Sequence, residues 1–193
     1  MNLDDFKTTL GEKSANDQNK KPLIDSNIPV YDFDEIKNHY VSKNLNLFKG
    51  PKIKGPKSVD ALYHEKEKNV LFEFKSGSLS SKDIFEIHTK IYDSFMILCD
   101  LFDEHLTCTL NKEIFVLVFD DEKDTGALDK KFLSIKTNYS SNNSMETISN
   151  YVMDKANEHL VKFNLIKYKG YLFQDVYTVP KTKFDHEIKK IIP

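Results

Sequence analysis

The sequence predicts an α/β fold, a central mixed sheet flanked by helices in the order α-β-β-β-α-β, with a further helix and a strand or hairpin after them. Three observations carry that expectation. Residues 58–75 alternate with the two-residue period of a hairpin, residues 82–102 repeat apolar positions at helical spacing, and Glu113 to Phe119 is a nearly continuous apolar run. Such a run marks a strand buried on both faces.

Residues 1–21 are polar, with Gly11, Ser14 and the stretch Asn16 to Lys20, and read as a mobile N-terminal segment ahead of a single domain over residues 22–193. From Asp34 the spacing of Phe33, Ile36 and Tyr40 behind a capping Asp predicts a helix ending near Asn44. Leu45 to Phe48 reads as a short strand. The hairpin follows, then a long helix over 82–102 with one apolar stripe of Ile84, Ile87, Ile91, Phe95, Leu98 and Phe102 and a second of Phe85, Tyr92, Met96 and Cys99. Two stripes predict burial on two sides. Beyond the apolar strand, Asp120 to Ser144 is a polar connection, Met145 to about Phe163 suggests a helix through Ile148, Val152, Ala156 and Leu160, and Leu165 to Val179 reads as a strand or hairpin. Its aromatic and basic residues can stack on single strands, although Tyr and Phe in a strand are more often core.

At 193 residues, with 39% hydrophobic residues including 14 Phe and 9 Tyr, the chain has the size and apolar content of one domain with its own core. It holds no apolar run of membrane-spanning length and no secretory layout at its start, so a cytoplasmic protein without a membrane partner is expected. Cys99 and Cys108 are isolated and the six His show no ligand spacing, which argues against a disulfide framework or a zinc site.

All 28 basic residues are Lys, and the net charge is −2. Without Arg the chain lacks the bidentate fork for phosphate and guanine, so strong base-specific readout is not expected. Lys can still hold phosphates as a point charge. Lys49, Lys52, Lys54 and Lys57 fall within nine residues among Gly50, Pro51, Gly55 and Pro56, a basic loop that leads into the hairpin. It either guides a phosphate backbone or is a solvated lysine loop.

The hairpin carries the chemistry. Side chains alternate across a strand, so Val59, Ala61 and Tyr63 share a face with Val70, Phe72 and Phe74, while Asp60, Leu62, Leu71, Glu73 and Lys75 share the other. A turn centred on residues 65–68 sets Asp60 opposite Glu73 and Leu62 opposite Leu71. Opposed carboxylates with Cβ atoms about 5 Å apart are destabilising unless a cation or a raised pKa relieves them. In the plainer reading Glu73 and Lys75 belong to a wet strand face, but Leu62 and Leu71 on that same face imply that something covers it.

With Gly55-Pro56-Lys57-Ser58-Val59-Asp60, then Glu73-Phe74-Lys75 at the end of an apolar strand, then Ser76-Gly77 and a long helix, the chain resembles the PD-(D/E)xK nucleases of restriction-endonuclease-like fold from about Val30 to Phe119. Val59 stands where the family's Pro would precede the first Asp. The resemblance implies a Mg²⁺-dependent endonuclease or phosphodiesterase, with Mn²⁺ as a substitute ion and DNA favoured over RNA. It implies Asp60 and Glu73 as metal ligands, the Phe74 carbonyl as a third, and Lys75 as the group that activates the attacking water. An acid on the first helix often adds a ligand in this family. Glu35 is the first candidate and Asp34 the second, although acids in a first turn also complement the helix dipole. On the long helix Glu86, Lys90 and Asp93 form one polar stripe that either pairs at the surface or leans over the active face, Lys90 being a candidate nucleic-acid contact. A single domain of this size suggests a homodimer or a partner protein that supplies target choice. The Lys, Asn and Ile bias suits an AT-rich coding sequence, bacterial or from a mobile element, and together with the resemblance it suggests a role in bacterial defence or a mobile element. Two other readings stay open: a catalytically inactive module that binds nucleic acid or protein, and an interaction or immunity-type protein.

Overall fold

The structure is a computed structural model that describes residues 1–15, 21–44, 55–66, 68–103, 112–123 and 161–192. In chain order the elements are β1 (Lys7–Thr9), α1 (Leu10–Lys13), β2 (Pro29–Asp32), α2 (Phe33–Asn44), β3 (Ala61–Glu65), β4 (Lys68–Lys75), α3 (Ser81–Leu101), β5 (Glu113–Phe119), β6 (Asp175–Pro180) and α4 (Phe184–Ile191). Among the described residues six strands form one open mixed sheet in the order β1 to β6. β1 to β4 pair antiparallel, whereas β5 runs parallel to both β4 and β6. The α/β expectation holds.

From residue 61 onward the hairpin has the register that its alternation predicts, with Leu62 opposite Leu71 and Ala61 opposite Phe72. Val59, expected beside Ala61, instead packs with Leu62 and Leu71, because the ladder breaks at Asp60, whose N–H bonds the Phe72 carbonyl. Lys66 in the turn adopts φ 57°, the left-handed conformation that tight hairpins favour. β5 spans the predicted Glu113–Phe119, and every residue in it is buried. The chain crosses from β4 to β5 through α3, the connection that parallel neighbours require.

Both sheet faces are covered. Leu62, Leu71, Phe115, Leu117 and Val176 meet Ile36 of α2 and Ile87, Ile91, Phe95 and Leu98 of α3. On the opposite face Ala61, Val70, Phe72, Val116 and Val118 meet Phe184, Ile188 and Ile191, which recur at helical spacing along α4. Fully burying an aliphatic or Phe side chain stabilises by about 1.5–3 kcal/mol, so these layers dominate the fold energetically. They also explain Leu62 and Leu71 on a face that carries charge, since α3 covers the leucines with its apolar residues and reaches Glu73 with Lys90.

Several expectations need correction. Residues Lys7–Thr9, assigned from composition to a mobile tail, pair with β2 as the sheet's edge strand. Of the two apolar stripes on α3 the first supplies the buried residues Ile87, Ile91, Phe95 and Leu98, while in the second Phe85 and Met96 are 73% and 60% exposed, Tyr92 is exposed as well and Cys99 is half-buried. Leu165–Tyr168 forms a 3-10 turn and not a strand, with β6 beginning only at Asp175. The sequence reading missed β2 and α4. The proposed strand at 45–48, Lys49, Lys52 and Lys54, and nearly all of the proposed helix at 145–163 lie outside the described residues.

Candidate functional site

Asp60 sits one residue before β3, where the ladder with β4 changes character. Its backbone N–H donates to the Phe72 carbonyl at 2.9 Å, but the next rung is made by its side chain, which accepts the Phe74 N–H at 2.7 Å. The carboxylate therefore turns along β4 toward Glu73. Ser94, buried in α3, accepts the Val59 N–H at 2.9 Å, and Asp93 accepts the Lys57 N–H at 2.8 Å, which ties the 57–60 segment to the helix.

Lys90 reaches down from the middle of α3 between the two acids. Its Nζ lies 3.2 Å from Asp60 Oδ1 and 2.9 Å from each Glu73 carboxylate oxygen, and Lys75 Nζ lies 3.2 Å from Glu73 Oε1. Burial, reinforced by the Asp60 charge, pushes the Glu73 carboxyl up to about 8 against the pull of Lys90 and Lys75. Burial likewise raises the Asp60 carboxyl despite Lys90 and the Phe74 N–H. Burial opposes the charge on Lys90, yet Glu73 and Asp60 outweigh it and hold the ammonium protonated. Two acids with little solvation thus converge on one cation.

The group opens into a cavity of about 430 Å³, bounded on one side by the β4–α3 loop from Lys75 to Leu79 and on the other by residues Glu12 to Ala15. The N-terminal segment is therefore a wall of the site. Thr9 and Glu12 cap α1 reciprocally, and the buried Ser14 anchors the turn through bonds with the 23–24 backbone. A Cβ on Gly11 would stand 2.8 Å from the Ser26 carbonyl, so only glycine permits this approach. Lys13, the residue this packing delivers, lies 3.0 Å from Asp32 and 3.5 Å from Asp34.

Asp60, Glu73, Phe74, Lys75 and Lys90 all line this cavity. Glu35 does not: it is exposed, with its N–H bonded to the capping Asp32, and Asp34 lines the cavity in its place. Adjacent helical residues point about 100° apart, so the orientation of α2 against β2 decides which acid faces inward. Asp34 also accepts from Ser58 at 2.5 Å and raises the Asp60 carboxyl through its charge. Lys57 is not among the lining residues and pairs with Glu86 at 2.6 Å. The polar stripe on α3 is thus divided, Glu86 and Asp93 gripping residue 57 while Lys90 enters the site. Lys13 and Ser94 escaped the sequence reading. Thr9-Leu10-Gly11-Glu12 is a capping-box pattern that signals a helix in the supposed tail, whereas nothing in the sequence singles out Ser94.

The cavity lining holds five carboxyl groups, those of Glu12, Asp34, Asp60, Glu73 and Asp83, against three ammonium groups, those of Lys13, Lys75 and Lys90. When Asp60 and Glu73 are ionised, that excess draws cations and repels a bare phosphodiester. Among the described residues no three His, Cys, Asp or Glu side chains gather as a ready ligand cluster. The donors nevertheless suit Mg²⁺, a hard ion commonly held by one or two carboxylates with water completing its shell. Asp60 and Glu73 already share one cation at the edge of an open cavity.

No helix among the described residues is long and apolar enough to cross a membrane. Comparison with family models, curated proteins and solved structures gives no match.

Proposed function

We propose that this protein is a divalent-metal-dependent phosphodiesterase of the restriction-endonuclease-like kind that hydrolyses nucleic acid, DNA before RNA. The single observation that carries the reading is the convergence of Asp60 and Glu73 on one cation position, with Lys75 3.2 Å from Glu73 at the open side. The antiparallel hairpin followed by a helical crossover to a parallel strand agrees with that core. Asp60 and Glu73 would hold Mg²⁺ or Mn²⁺, with the Phe74 carbonyl as a further donor. A divalent ion there supplies charge neutralisation at the scissile phosphate and a more acidic water. Lys75 orients the attacking water and stabilises its deprotonated form. Lys13 lines the same cavity, its charge already shared with Asp32 and Asp34. Target choice falls to a second copy or a partner, since the domain has no Arg for base readout.

One observation favours a second reading, an inactive module that keeps the fold. Lys90 by itself neutralises much of the acidic pair, so the site is satisfied without a metal. Incubation of linear, supercoiled and single-stranded DNA with Mg²⁺ or Mn²⁺ separates the two. Cleavage that wild type performs and both Glu73→Ala and Lys75→Met lose supports the enzyme. Metal binding without cleavage supports the module, and cleavage that survives both substitutions overturns the assignment of these residues.

A further inference from the structure

We propose that Lys90 is a resident counter-ion that exchanges places with a divalent cation, so that the metal-free protein carries its own substitute for the ion. This rests on the reading that Asp60 and Glu73 hold a metal. An ammonium has three N–H donors, and the three carboxylate oxygens around Lys90 Nζ, one from Asp60 and two from Glu73, match them at 2.9–3.2 Å. That is the position a shared ion would take. A divalent cation and an ammonium at such separations repel by several kcal/mol even when generously screened, so the two occupy it in turn.

The fold permits the exchange without moving a helix. The α3 backbone is pinned beside Lys90 by the fully buried Ile87 and Ile91 and by the Ser94 bond to residue 59. Only the flexible four-carbon stem has to swing, and Lys90 already borders the open cavity. The exchange replaces one positive charge by two against the same two acids. The displaced ammonium then stands in the cavity, where it balances carboxylates that would otherwise repel a phosphodiester.

The test is calorimetric titration of Mg²⁺ into wild type, Lys90→Met, Lys90→Arg and Glu73→Gln at about pH 9, because protons compete for the same pair at lower pH. Removing the competing cation should tighten Mg²⁺ binding at least about tenfold in Lys90→Met, while Lys90→Arg, which keeps the charge, binds no tighter than wild type. Equal affinities in wild type and Lys90→Met, both abolished by Glu73→Gln, overturn the exchange and leave the metal reading standing. No Mg²⁺ binding, or binding indifferent to Glu73→Gln, removes the metal reading and the exchange together. Should Lys90→Met fail to fold, the wild-type ¹⁵Nζ resonance, assigned by its absence from Lys90→Arg, gives the same answer under slightly acidic conditions. It should shift on saturation with Mg²⁺, and an unmoved resonance in the saturated protein overturns the exchange.

Discussion

Asp60 replaces a backbone carbonyl in the β3–β4 ladder: its Oδ2 accepts the Phe74 N–H at 2.7 Å, while its Oδ1 faces Lys90 at 3.2 Å. One carboxylate thus serves the sheet and the cavity at once, and the two roles separate by substitution. Asp60→Asn keeps an acceptor for Phe74 and removes the charge, whereas Asp60→Ala leaves that N–H unpaired. Denaturant unfolding should find Asp60→Ala less stable than Asp60→Asn by about 1–3 kcal/mol, the cost of an unsatisfied buried donor. Equal stability would mean that the side-chain rung contributes nothing.

Glu73 sets a pH dependence of stability. Its carboxyl titrates near 8 in the folded chain against an ordinary value of 4.5, so the folded state binds the proton more tightly. The associated stability is fully present below the unfolded value and is lost as pH rises through the folded one. With a chelator present, the wild-type melting temperature should fall across that window. Glu73→Gln should flatten the decline, leaving the contribution that the raised Asp60 carboxyl makes in the same direction. Parallel curves for the two proteins would show that Glu73 is not the group responsible.

Lys75 meets a fully buried Glu73, but Lys90 holds the same carboxylate, so losing Lys75 leaves Glu73 paired and should cost less than breaking an isolated buried pair. If it serves the attacking water, Lys75→Met should slow cleavage by about 10²–10⁴-fold with melting temperature and metal affinity nearly unchanged. Single-turnover cleavage, read beside a metal titration of the same variant, measures both. A rate loss matched by an equal loss of metal affinity would assign Lys75 to metal binding and not to chemistry.

Lys57 distinguishes a side chain from a backbone. Its ammonium pairs with Glu86 where both are more than a third exposed, but its N–H is held by Asp93. Lys57→Met should therefore cost less than about 1 kcal/mol, and Asp93→Ala should cost more, since it leaves the Lys57 N–H without its acceptor and removes one of the two backbone ties to α3. The reverse order in urea melts would contradict this account.

The legible parts of the fold were those whose period leaves one solution. Alternation on either side of a short turn determines the hairpin's parity from residue 61 to residue 72, so that Asp60 and Glu73 come near each other was legible, but the side-chain rung by which Asp60 gets there was not. β5 declared itself by being apolar throughout. On α3 the period located the helix but could not say which stripe meets the sheet, because Phe85 and Met96 are as apolar as Ile87 and Ile91. That choice belongs to tertiary packing. The same holds for Asp34 against Glu35, neighbours separated only by the orientation of α2. The N-terminal segment was misjudged because averaging composition over 21 residues hides a four-residue capping box. β2, at four residues, is too short to establish a period.

The wall formed by Glu12 to Ala15 hangs from β1, which has three residues and, among the described residues, a neighbour on one side only. Edge elements of this size sit at the weakly protected end of a protein's range of local stabilities. Amides of residues 7–15 should accordingly exchange hydrogen well before those of β4 and β5, while the rest of the sheet stays closed. A long polymer need not be threaded end-first into such a cleft. Fraying of that one short strand would widen the cavity from the side, so a polymer of the kind proposed above would have a lateral way in.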